Sequence, residues 1–398
     1  MTDDGRGSVR RLALARVLSA TGSWAGGLAL PFVLFQITGS GVWVAASWFI
    51  TFGITGLLSP LSGTIADRFD RRRVMVVSDL LGAASWGLLT FVRSPGWMLA
   101  IAFVATVASQ PFWAASGAAI PNLVPAEDLT WANSTLALAG SIASLAGPAI
   151  GGVLIALVGA GATFGVNAVS YVLEAVLVGT TAGRFSAARD ETKERERGGL
   201  LRGFGMLFAD PALRALAVVW TMQYFAIDAA LVADPPLVRL FAAGAMGYGV
   251  LNAGWGGGAL VGSFLARRTG DRSRAAAVAG GSIVTAAAYG LISISPWFAP
   301  IVVLMFTVSF ADAFNTVAGQ SIVQIRTPDE VRGRTWAALS GLGLVANTVA
   351  FTASGLFVDA LGPRAVYGLG ALAAVASFPF LPGLAAALRR GEPATGAR

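Results

Sequence analysis

Long apolar stretches separated by short polar breaks run through the whole of this chain. They fall at roughly 12–36, 41–65, 74–93, 97–120, 131–158 and 162–183, and then at 213–233, 244–266, 275–294, 297–323, 335–359 and 363–387. Each approaches the about 20 apolar residues that a helix needs to cross a hydrocarbon core of about 30 Å. Backbone polar groups in lipid must be satisfied within the protein, which leaves helices or a closed barrel. Uninterrupted apolar runs, rather than alternating segments of about ten residues, select helices. The pattern predicts an all-α membrane protein with twelve transmembrane helices. The first stretch, Leu12 to Phe35, is too long for a signal-peptide core and lacks a cleavage site, so it reads as the first span.

The polar breaks divide the spans six and six. The segment from Arg184 to Arg202, opening RFSAARDETKERERGG, is the only long charged run inside the chain. It predicts a first six-helix bundle over 1–183, a cytoplasmic linker over 184–204 and a second bundle over 205–398. With the N-terminus inside, the hydrophilic segments on that side hold 23 Lys and Arg, and the opposite side holds only Arg93, Arg239 and Arg364. Basic residues accumulate on the cytoplasmic face, so both termini are placed there, in a multi-pass protein of a bacterial inner membrane. The preference for Arg over Lys and the abundance of Ala suit a GC-rich bacterial genome.

The halves resemble each other. Pro125-Ala-Glu127-Asp128 precedes Pro328-Asp329-Glu330-Val331 by 203 positions, each just ahead of a fifth span. At the same offset Gly152 matches Gly355 and Gly159 matches Gly362. The basic loop ADRFDRRR from Ala66 returns as ARRTGDRSR from Ala266. A six-plus-six repeat predicts two pseudo-symmetric bundles that rock around a central site.

Composition narrows the chemistry. Hydrophobic residues make up 55% of the chain and charged residues 12%, about half the charge of a soluble protein. With no Cys and no His, disulfides, zinc sites and histidine relays are excluded, and no metal or cofactor is expected. The net charge of +7 does not point to nucleic acid, because the basic residues sit at helix ends. The only lysine, Lys193, lies in an acidic stretch without a phosphate-cradling glycine loop, so the sequence offers no site for ATP hydrolysis and no catalytic residues.

Between spans two and three stands Gly63-Thr-Ile-Ala-Asp67-Arg68-Phe-Asp70-Arg71-Arg72-Arg73. Gly63 permits close helix packing, Asp67 can accept N–H bonds at a helix start, and the arginines can bridge to acidic groups of the other half. Span five holds Gly147, Pro148, Gly151 and Gly152; proline bends a helix and the glycines admit a neighbouring backbone. Gly254, Gly258 and Gly262 form a matching stripe on span eight, and the two helices are expected to meet across the halves.

The basic loop resembles the signature loop of the major facilitator superfamily, and the Gly147–Gly152 segment resembles its antiporter motif. The opening LARVLSATGSWAGGLALPFVLFQITGS, PNLVPAEDLTWAN and TPDEVRGR resemble the bacterial efflux branch that includes enterobactin and macrolide exporters. This resemblance covers essentially the whole chain and implies the major facilitator fold. The usual second glycine of the loop is Asp70 here. Span four has no arginine, and span one has Ser23-Trp24 where related exporters often place aspartate, so proton coupling does not carry over from those positions.

Three carboxylates sit near the middle of their spans: Glu174, Asp228 and Asp312. Such groups are costly in a membrane and are functional candidates by default. Asn167, Tyr171 and Glu174 share a face of span six, Trp220, Tyr224 and Asp228 a stripe of span seven, and Asp312 and Asn315 one turn of span ten. Gln110 and Trp113 are further cavity-lining candidates. A carboxylate among aromatic rings suits a bulky, often cationic solute and can exchange a proton for it. Arg16 is expected to snorkel to the cytoplasm, and Asp79 to pair with the basic loop. The sequence thus predicts secondary active export of a small hydrophobic or amphipathic molecule such as a drug, antibiotic or siderophore, by a monomer coupled to protons in the lipid bilayer. An uptake or facilitative permease and a non-transporting sensor remain the alternatives.

Overall fold

The computed structural model describes residues 3–183, 185–186, 199–266 and 274–390. Most of the predicted linker, the interior of the ARRTGDRSR loop, and the side chains of Asp67, Asp329 and Glu330 lie outside what is described. Regular structure among the described residues is entirely helical. In chain order the helices are α1 (Asp3–Thr38), α2 (Gly41–Trp48), α3 (Thr55–Arg68), α4 (Arg71–Leu89), α5 (Pro95–Leu123), α6 (Leu129–Thr180) and α7 (Gly199–Ala209). They continue as α8 (Pro211–Leu240), α9 (Gly244–Ala266), α10 (Arg274–Ile294), α11 (Phe298–Arg326), α12 (Asp329–Leu361), α13 (Pro363–Ala376) and α14 (Leu381–Arg389). Seven of them are long and apolar enough to cross a membrane by themselves, and α13 with α14 makes an eighth such segment, Pro363–Arg389.

The 52-residue α6 would run about 78 Å if straight, more than twice the thickness of a hydrocarbon core. It breaks at Gly159, where φ is 83° and ψ 155°, so spans five and six lie on either side of one residue. Gly362 joins α12 to α13 with φ 82° and ψ 168°. The two glycines are the pair separated by 203 positions, and only glycine adopts this backbone at low cost. Span two is interrupted by a π turn at Phe49–Gly53, and span twelve by a short turn at Phe378–Phe380 between α13 and α14. With these breaks the helices accommodate twelve crossings.

The helices are apolar outward and polar inward. On α6, Val169, Leu173 and Val176 are exposed, while Asn167, Ser170, Tyr171 and Glu174 are buried. That arrangement suits lipid outside and a polar interior. Hydroxyls in the spans return their protons to the preceding turn, as Ser85 does to Leu81 O and Thr163 to Gly159 O.

The chain divides into two compact units. The first comprises Met1–Gly39, Ala46–Thr192 and Gly244–Ala253, and the second Ser40–Ala45, Lys193–Ala243 and Gly254–Arg398. One core of the first unit gathers Leu12, Met75, Phe112, Leu136 and Val178. The second unit has a core around Leu207, Leu216, Ile322, Leu339 and Leu384, so α7, which begins within the predicted linker, packs as part of it through Leu207. Asp210 caps α8 by accepting from Ala212 N at 2.7 Å and Leu213 N at 3.1 Å, and lies 3.6 Å from the Arg326 guanidinium. Outside the spans, Arg6 donates to both carboxylate oxygens of Asp128 at 3.2 and 2.6 Å. This bidentate bond holds the Asp128 carboxyl below its ordinary pKa.

The basic loop differs from expectation in two respects. Asp67 sits in the last turn of α3, and the cap of the next helix is Asp70, which accepts from Arg73 N at 3.0 Å. Asp70 takes the role because its extended φ/ψ of −60° and 121° is that of an N-cap. The arginines serve their own half. Arg72 donates to Thr181 O at 2.7 Å and Gly183 O at 2.8 Å and lies over the Phe185 ring, and Arg71 reaches Phe185 O at 3.4 Å. Free carbonyls at the end of α6 attract cations. Arg68 lies over the Phe69 ring, and Gly63 falls within α3.

The glycines of α6 pack as close-approach residues, Gly147 and Gly151 against α1 and Gly152 against α9, the eighth span. A methyl group at Gly147 would meet the Trp24 ring at 2.5 Å, and one at Gly151 the Ala25 Cα at 2.8 Å, both on α1. Gly152 faces the backbone of Gly249 and Ala253 at the start of α9. The Gly254, Gly258 and Gly262 stripe instead packs on α11, against Val302, Phe306 and Phe310. Spacing identified the small faces and the approach of span five to span eight at Gly152, but not α1 and α11 as the neighbours of the remaining glycines. Pro148 is buried within α6, which continues through it.

Candidate functional site

The first unit lines a half-open cavity of about 350 Å³, at the lower end of small-molecule sites. Helices α1 to α6 and the π turn all contribute to its wall. Trp24, Trp48, Trp86 and Trp113 supply most of its aromatic surface, and Phe52 enters from the π turn, with its ring 5.5 Å from Trp48 and 5.9 Å from Trp24. Ser109, Gln110 and Ser144 add neutral polar groups.

Charged side chains converge on this cavity. Glu174 from α6 is 3% exposed and Asp79 from α4 is 1% exposed. Ser19 on α1 lines the cavity beside the two carboxyls. Arg16, one turn before Ser19, stacks 4.5 Å over the Trp113 ring and is electrostatically coupled to Glu174. Its Nε and Asp79 Oδ2 have no hydrogen-bond partner among the described residues. The Tyr171 hydroxyl accepts from Ser23 Oγ at 3.1 Å. Tyr171 can lie against α4 because Gly82 has no side chain: a methyl there would be 3.0 Å from the ring.

Glu174, Tyr171, Gln110 and Trp113 all line the cavity. Asn167 does not: it is fully buried between α6 and α1, where a methyl at Gly26 would lie 2.6 Å from its Nδ2. Two expectations are corrected here. Arg16 does not snorkel, because the Trp113 ring and the Glu174 carboxylate hold it in the cavity. Asp79 does not serve the basic loop, because its position two turns into α4 aims it at α6. The residues not foreseen are Asp79 and Arg16 in these roles, together with Ser19, Trp24, Trp48, Trp86 and the π-turn pair Thr51 and Phe52.

The second unit holds the other candidates as a separate cluster. The Trp220 indole donates to Asn315 Oδ1 at 3.0 Å, both buried, and stacks with Trp336 at 6.1 Å. Asp228 is buried, and the Asn347 amide, oriented with its nitrogen toward acceptors, lies 2.7 Å from Asp228 Oδ2 and 2.7 Å from Gly343 O. Asp312 is half-buried on α11, and Tyr224 is 43% exposed, so the expected stripe of α8 splits between two environments. Asp234, placed at an outer span end by sequence, is buried and bonded by the Tyr367 hydroxyl.

A sequence profile of the Major Facilitator Superfamily matches residues 12–347. The chain is 26% identical over 371 residues to an enterobactin exporter, EntS, of Salmonella typhi, covering 91% of this chain and 86% of that protein. It is 24% identical over 359 residues to macrolide efflux protein A of Streptococcus pyogenes, covering 84% and 85% respectively. Among solved structures, a bacterial homologue of the human lysosomal transporter Spinster aligns at TM-score 0.72 with 14% identity over 98% of both chains. The nucleoside transporter NupG aligns at 0.69 with 14% identity over 94% of this chain and 98% of that one. At these identities the structural matches establish the fold.

Proposed function

The chain belongs to the Major Facilitator Superfamily, and from that premise we propose that it exports a small hydrophobic or amphipathic molecule across a bacterial inner membrane by proton-coupled alternating access. The observation that carries this reading is the aromatic cavity of the first unit, whose wall includes the buried carboxyls of Asp79 and Glu174. Tryptophan faces accept a flat or greasy body with little demand for directional bonds. The buried carboxyls offer a proton for exchange in the cavity, and Arg16 keeps compensating charge beside them. A proton held there in one state and released when substrate arrives links the two fluxes.

Export is the direction favoured by the efflux-type relatives and by the Gly147–Gly152 segment. The bundles over 1–183 and 205–398 are the moving halves, with both termini cytoplasmic and the monomer as the working unit. Asp228 and Asp312 serve as secondary candidates for the same coupling in the second bundle. The test is accumulation of a fluorescent amphiphile in inverted membrane vesicles energised by a pH gradient. Uptake that collapses with the gradient supports proton-coupled export, flux that ignores it supports a facilitator, and no flux with any amphiphile supports the sensor.

A further inference from the structure

Arginines drawn into the body of this protein have acceptors. Arg326 donates to Ala387 O and lies 3.6 Å from Asp210, and Arg72 donates to Thr181 O and Gly183 O. Arg16 is the exception. It is half-buried in the cavity wall of the first unit, yet among the described residues it makes no hydrogen bond and no ion pair. Its Nε is shut off from water without an acceptor, and the guanidinium rests on the Trp113 face at 4.5 Å. Glu174 acts on it only through space. Arginine cannot shed its charge, and an unpaired charge in a low-dielectric site is costly. The group that relieves that cost has to be an anion supplied from the cavity. Room exists beside it: a methyl group on Gly140 of α6, which also lines the cavity, would meet only Arg16 Nε, at 3.9 Å.

We propose that Arg16 is an acid-binding subsite of this cavity and that the favoured cargo is a hydrophobic aromatic monoacid, with its carboxylate on the guanidinium and its ring against the tryptophan faces. This rests on the export reading and names its substrate class. A guanidinium presents a planar fork that matches a carboxylate with two parallel bonds, and Trp24, Trp48, Trp86 and Trp113 offer flat apolar surface for the ring. Asp79 and Glu174 line the same cavity from α4 and α6. They would repel an acid lying against them, so they direct its charged end to Arg16. A cation such as tetraphenylphosphonium can still use the aromatic wall, but Arg16 repels it.

The experiment titrates the purified full-length protein with biphenyl-4-carboxylate, its uncharged analogue biphenyl-4-carboxamide, and tetraphenylphosphonium. The wild type is expected to bind the acid about tenfold or more tightly than the amide, the usual gain of a charge-assisted hydrogen bond. Arg16→Gln is expected to abolish that preference while binding tetraphenylphosphonium more tightly than the wild type does. These opposite signs cannot come from a damaged fold, which weakens every ligand together. Arg16→Lys keeps the charge without the fork and is expected to retain part of the preference. Gly140→Asp reaches the same end with Arg16 intact: it sets a carboxylate beside the guanidinium, in open space, and is expected to remove the preference for the acid. That variant decides the matter if Arg16→Gln does not fold. Wild-type protein that binds the acid no better than the amide would overturn the proposal. So would a preference that survives Arg16→Gln or Gly140→Asp, or tetraphenylphosphonium binding that weakens along with the acid in Arg16→Gln. Gradient-driven efflux of the uncharged amide from vesicles, measured alongside, decides the export reading separately.

Discussion

Asp79 on α4 and Glu174 on α6 are both buried against the first unit's cavity. Set in one low-dielectric site, they are expected to act as one device. Residues acting as a unit show strongly non-additive effects. Asp79→Asn and Glu174→Gln are each expected to lower gradient-driven efflux about tenfold or more, and the double variant to be no worse than the poorer single one. Initial rates in inverted vesicles check this; multiplying losses would mean two independent sites.

Gly159 and Gly362 share a backbone conformation that side chains rarely adopt. Replacement of either by Ala is expected to cost about 1–3 kcal/mol. Gly117, helical and with open space where a methyl would go, is the control, and its Ala variant should be neutral or slightly stabilising. Thermal unfolding of the three purified variants measures the difference.

A methyl group at Gly152 would meet the Gly249 carbonyl and lie 2.7 Å from Ala253 N. Backbone cannot yield as a flexible side chain does. Gly152→Ala is expected to destabilise by about 1–3 kcal/mol, the usual cost of overpacking, read as a lowered Tm. An unchanged Tm would show that α6 and α9 do not need this approach.

The Arg6–Asp128 pair makes a pH prediction. Its carboxyl pKa is depressed in the folded state, so it adds stability above the ordinary carboxylate pKa that is lost as pH falls through the folded value. Acidification from neutral to about pH 3 should therefore lower the Tm of the wild type more than that of Arg6→Ala. Parallel slopes would remove the pair from the acid response.

Much of the fold could be read before the coordinates, because spans and repeat depend on hydropathy and on glycine, which are local. Gly159 and Gly362 stood out by their offset, and the structure gives them one backbone geometry. The Tyr171–Glu174 face of α6 was legible because three-residue spacing fixes a helix face. The partners of those residues were not. Arg16 is kept in the cavity by Trp113, far along the chain, and local sequence cannot show that ring. Asp79 looked like a companion of Arg72 because both lie on one short helix, yet its orientation depends on α6. The π turn that brings Thr51 and Phe52 to the cavity leaves no periodic signal, since it disrupts the very period one would look for. The glycine stripe of α9 announced a close contact, but only packing reveals α11 as its neighbour.

The central claim is that Glu174 couples the proton to substrate, and one measurement reaches it directly. Inverted vesicles carrying wild type or Glu174→Gln, matched for protein content, are given a pH gradient and tetraphenylphosphonium, and the gradient is then collapsed with an ionophore. The account predicts gradient-dependent accumulation in the wild type and a loss of about tenfold or more in Glu174→Gln, with the residual flux indifferent to the ionophore. Wild-type, ionophore-sensitive accumulation by Glu174→Gln would contradict it.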